Sequence, residues 1–77
     1  GSGFYIQVGA YGQADNARRT AQKLRDAGVA HVFTLSPAAD QPLQRVRIGP
    51  IASVPEYDQL IARLSALGFP AARLAQD

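Results

Sequence analysis

Gln7, Arg45 and Arg47 lie in two short segments whose side chains alternate, Phe4-Tyr5-Ile6-Gln7-Val8 and Gln44-Arg45-Val46-Arg47-Ile48. Every second residue of a strand shares a face, so Arg45 and Arg47 project together while Val46 and Ile48 point the other way. A guanidinium presents a planar fork of donors that fits a carboxylate, and a glutamine amide offers both a donor and an acceptor. This is the chemistry of recognising a polar or anionic ligand. Catalysis lacks its parts: with one His, no Cys and no carboxylate pair away from helix termini, the chain assembles neither a nucleophile–base pair nor a metal cluster. The domain is therefore expected to be no enzyme and to need no cofactor or metal. His31 reads as a partly buried packing or hydrogen-bonding residue at a strand start. Glu56 and Asp58 suit the first turn of a helix, where acids meet the positive end of the macrodipole. The cluster Arg18, Arg19, Lys23 and Arg25 reads as the solvated face of another helix.

The elements that hold these residues come as two copies of one unit. Val8-Gly9 recurs forty residues later as Ile48-Gly49, Leu24 as Leu64 and Gly28 as Gly68. The stripe Ala17, Thr20, Ala21, Leu24, Ala27 recurs as Tyr57, Leu60, Ile61, Leu64, Leu67. Solenoids need about three or more repeats to bury a core, so two copies must cover each other. Strand one is predicted from Phe4 to about Val8. The three-and-four spacing after Gly12 predicts helix one, closed by Gly28. His31 to Leu35 predicts a short strand, and Ser36 to Pro42 has turn composition. Ser53 and Glu56 form a capping box that starts helix two near Val54 and lets it run to about Leu67. Ala71 to Leu74 predicts a weak last strand. Asn16 aligns with Glu56 and so suits first-turn capping, a role compatible with ligand contact.

The order βαββαβ predicts an α+β fold, a ferredoxin-like (RNP-like) sandwich with both helices on one face of a four-stranded antiparallel sheet. Right-handed crossovers bring strands one and three together at its centre. The other face is then open, with Tyr5, Gln7, Arg45 and Arg47 exposed on it.

The 77 residues are expected to form one domain over 4–77, near the size at which about 60% of the unfolded surface is buried. Residues 1–3 read as a linker or cloning remnant, and a start without Met reads as a piece of a longer protein. A net charge of +2 permits an anionic ligand without requiring one. No run approaches the roughly 18 apolar residues of a membrane span, and no membrane contact is expected. RNA-recognition motifs share this architecture but stack bases on aromatics of the two central strands. Gln44–Ile48 has no aromatic residue, so nucleic acid is not an expected partner, and RNA binding ranks below a protein-interaction module as an alternative.

Gln7-Val8-Gly9-Ala10-Tyr11, Asn16-Ala17, Leu24 to Gly28, and Arg45-Val46-Arg47-Ile48-Gly49-Pro50 together resemble the SPOR (sporulation-related repeat) domain, from Phe4 to Leu74. The resemblance implies a two-fold βαβ module that binds bacterial peptidoglycan, preferring glycan strands stripped of stem peptides by amidases at the division septum. It implies a periplasmic location and a parent cell-wall protein, with a lipid-anchored lytic transglycosylase as the expected parent. Matched residue by residue, the family's ligand positions fall on Gln7, Ala10, Tyr11 and Arg45, with Asn16 at the recurrent helix-start position. Arg47 joins them as a neighbour of Arg45. Leu43 stands where the family often has an aromatic, and Ala10 where a serine is common, so sugar stacking is expected from Tyr5 or Tyr11 instead.

Overall fold

A computed structural model describes residues 3–75; Gly1 and Ser2, and with them most of the expected leading linker, lie outside the described residues. The chain order is β1 (Phe4–Tyr11), α1 (Ala14–Asp26), β2 (Val32–Leu35), β3 (Gln44–Ile51), α2 (Val54–Ala66) and β4 (Arg73–Leu74). The sheet runs β2-β3-β1-β4 and every pairing is antiparallel, with the expected central pair.

One face of the sheet makes the core. Ile6, Val8, Val46 and Ile48 point toward Ala17, Ala21 and Leu24 of α1 and Leu64 of α2, and all are buried. Phe4 meets Tyr57 of α2 edge-on, with ring centroids 5.8 Å apart. Both helices thus lie on the same side.

The repeat predicted from sequence extends to hydrogen bonds at the helix ends. After α1 the N–H of Val29 donates to the carbonyl of Leu24 at 3.0 Å and that of Gly28 to Arg25 at 2.9 Å; after α2, Phe69 donates to Leu64 at 2.8 Å and Gly68 to Ser65 at 3.1 Å. Each is a Schellman closure, which needs a left-handed residue just past the helix. Gly28 and Gly68 supply it with φ of 85° and 101°. At the other end of α2, Ser53 Oγ accepts from the Glu56 N–H at 3.2 Å, as the capping box predicts. Gln13 begins α1 without any side-chain cap.

Three local expectations are corrected. Strand one runs three residues past Val8, because a β-bulge at Val8–Gly9 lets the chain keep pairing with β3 after its alternation is broken. β3 is longer than Gln44–Ile48 for the same reason: a second shift in register accommodates Gly49-Pro50 and returns Ile51 to the core. β2 begins at Val32, since His31 takes a left-handed φ of 62° and is exposed.

Deleting the side chain of Leu64, which is fully buried at the centre of the core, is expected to cost about 2–5 kcal/mol, a large part of the ~5–15 kcal/mol that holds a domain folded. Gly68→Ala meets no atom within 4 Å, yet it is expected to cost about 1–2 kcal/mol because alanine must enter a left-handed conformation. Urea titrations of both variants check these values.

Candidate ligand platform

The face opposite the helices is ordered by β-sheet register. Gln7 pairs with Arg47 and Ala10 with Arg45 across β1 and β3, while Phe33 pairs with Arg47 and Leu35 with Arg45 across β3 and β2. Residues directly opposite in an antiparallel pair share a face. Gln7, Ala10, Arg45 and Arg47, four of the residues singled out from sequence, therefore meet on one surface.

Arg47 Nε and Nη2 both donate to Gln7 Oε1, at 3.1 and 3.0 Å. Gln7 and Arg47 are equivalent positions of the two repeats, so this fork joins the halves across the pseudo-two-fold axis. Arg45 Nη2 donates to the Ser36 carbonyl at 3.1 Å, and its Nε is buried without a hydrogen-bond partner.

The two arginines are not the exposed groups that alternation predicts. Arg45 is 8% exposed and Arg47 6%. Each stands between flanking residues of β1 and β2, Arg45 between Ala10 and Leu35 and Arg47 between Gln7 and Phe33, and a long cationic side chain can bury its stem among such neighbours. None of the four strands contains Asp or Glu. Arg45 in particular is nearly out of water and forms no ion pair among the described residues.

Aromatic surface on this face comes from Tyr5, which is 37% exposed, and from Phe33, whose ring meets Tyr5 edge-on at 5.7 Å. A Cβ on Gly49 would come within 2.6 Å of the Tyr5 ring, so the absence of a side chain there is what lets Tyr5 lie down.

Tyr11 belongs elsewhere. The bulge places it opposite Gln44, its ring over Gly9 and against the core, and its repeat equivalent Ile51 is a core residue. Asn16, half-buried in the first turn of α1, accepts a hydrogen bond from Arg19. Leu43 is exposed immediately before β3, at the end of the strand that carries Arg45.

The other cations of α1 are engaged within the domain. Arg18 pairs with Asp15, Lys23 lies over the Phe69 ring at 5.2 Å, and Arg25 donates to the Val32 carbonyl at 3.0 Å. A groove of about 450 Å³ between β4 and α2, lined by Phe4, Val54, Tyr57, Asp58 and Leu74, is almost wholly apolar and lacks the chemistry of the sheet face.

The profile of the SPOR domain matches residues 1–75. The endolytic peptidoglycan transglycosylase RlpA of Pseudomonas aeruginosa, in strains UCBPP-PA14 and PAO1, is 41% identical over 71 residues, which is 88% of this chain and 21% of the relative. The chain thus spans about a fifth of the length of the curated relatives it matches. No solved structure matches it significantly.

Replacing Gln7 by Leu leaves the buried Arg47 guanidinium without this acceptor and is expected to cost about 1–3 kcal/mol. Gln7→Glu keeps an acceptor at the same place and should lose much less. Chemical denaturation of the two variants side by side gives the comparison.

Proposed function

Because the chain belongs to the SPOR domain family, a family of peptidoglycan-binding modules, we propose that its sheet face binds glycan strands from which the stem peptides have been removed. The observation that carries this reading is Arg45: nearly buried, with an unpartnered Nε and no acidic residue on any strand. A desolvated cation without a counter-charge is costly, and an arriving anion offsets that cost.

Peptidoglycan supplies such an anion only after one reaction. In an intact strand the lactyl group of N-acetylmuramic acid is an amide, neutral and bulky, whereas amidase cleavage leaves a carboxylate. A charge-assisted hydrogen bond to that carboxylate is worth roughly 1.5–3 kcal/mol net. Arg45 takes the carboxylate and Arg47, held by Gln7, adds positive potential beside it. Ala10 keeps the approach to Arg45 open, Tyr5 offers a flat face to a sugar ring, and Leu43 adds apolar surface at the rim. A remaining stem peptide collides with this surface and lacks the charge, so discrimination is both attractive and repulsive.

Strands hold these groups, so little backbone ordering accompanies binding and the contact is shallow. A module that reads stripped glycan carries its parent protein to the places where amidases act, the division septum above all. In a bacterium this puts the domain in the periplasm, and the likeness to RlpA makes a lytic transglycosylase the proposed parent.

Co-sedimentation with cell-wall sacculi before and after amidase digestion tests the reading. Binding should rise on digestion, and Arg45→Ala should lower it by about tenfold or more. Gln7→Glu should stay folded yet bind less, because it adds a negative charge to the face. Equal binding to both kinds of sacculi, or undiminished binding by folded Arg45→Ala, would refute it.

A further inference from the structure

The sheet face includes one cation that strand alternation in β1 and β3 does not reveal. Arg73 stands opposite Gln7 in the β1–β4 register, which places both on one face. Its neighbour Leu74 stands opposite buried Ile6 and lines the groove with Phe4 and Tyr57 on the helix side, so Arg73 faces the other way. Phe33, Arg47, Gln7 and Arg73 consequently form a single row across all four strands.

Arg73 is exposed, and the side-chain hydrogen bonds and ion pairs among the described residues do not involve its guanidinium. Two strand spacings, about 9–10 Å, separate it from β3. That is the length scale of one disaccharide, the interval at which a group carried on every second sugar recurs along an alternating glycan. Gln7 lies between the two cationic positions, and since its Oε1 accepts from Arg47, its amide N–H groups remain as donors for the intervening sugar.

We propose that Arg73 is a second anion contact, taking the carboxylate one disaccharide along from the one held at Arg45 and Arg47. The glycan then lies across the strands rather than along them, and the smallest ligand that uses the whole face has two disaccharides. This rests on the reading of the platform as a site for stem-free glycan. The surface complements that occupant in charge: three arginines face it and no strand bears an acid. An arginine on an edge strand also serves to discourage edge-to-edge pairing, but that role is indifferent to ligand length.

The test is calorimetric titration of the chain with a stem-free GlcNAc–MurNAc disaccharide and with the corresponding tetrasaccharide, which carries two lactyl carboxylates. The unaltered protein should favour the tetrasaccharide. Arg73→Gln should weaken tetrasaccharide binding by roughly three- to tenfold, as expected for an exposed charged contact, and leave disaccharide binding unchanged, with Arg73→Lys restoring part of the loss. If Arg73→Gln binds both ligands as the unaltered protein does while Arg45→Ala loses both, the Arg73 contact is overturned and the platform stands. If the unaltered protein binds neither saccharide, both readings fall.

Discussion

The antiparallel pairing of β1 with β3 is the constraint on which the rest of this small domain depends. Each repeat alone has one apolar sheet surface and one helix, too little to enclose anything. Joining the repeats along their first strands brings Ile6 opposite Ile48 on one side and Gln7 opposite Arg47 on the other. The first side becomes the core beneath Leu24 and Leu64. The second becomes a polar surface whose central element is the fork from Arg47 to Gln7 Oε1. A one-residue slip would exchange the two faces, burying arginines under the helices and exposing isoleucines. The register is therefore fixed by both sides at once.

Stability and recognition meet in the arginines. Both are nearly buried on the central strand, while Arg45 keeps an unsatisfied nitrogen and has no ion pair among the described residues. The result is a set of donors held in order by the strands that carry them. The cations of α1 illustrate the contrast: there are four of them, yet they are engaged with Asp15, Asn16, the Phe69 ring and the Val32 carbonyl.

The bulges refine the surface that the pairing creates. At Val8–Gly9 the extra residue turns Ala10 outward beside Arg45 and sends Tyr11 back to the core side. At Gly49-Pro50 the matching irregularity leaves a backbone without a side chain under Tyr5. The aromatic surface beside the arginines is thus that of Tyr5 and Phe33, while Tyr11 packs against the core.

Periodicity alone determined the element order, the two-copy architecture, the helix closures at Gly28 and Gly68, and the shared face of Gln7, Arg45 and Arg47. These follow from local geometry, the period of a strand, the period of a helix and the need for a left-handed residue after it. Tertiary structure decided what depends on partners distant in the chain. It showed that Arg45 and Arg47 lie buried along the sheet, since burial of a side chain is set by its cross-strand neighbours Phe33, Leu35, Gln7 and Ala10. It placed Tyr11 on the core side, since a bulge is defined only against the opposing strand. It brought Arg73 into line with Gln7, since a two-residue edge strand is too short to show alternation and acquires a face only from the strand it pairs with.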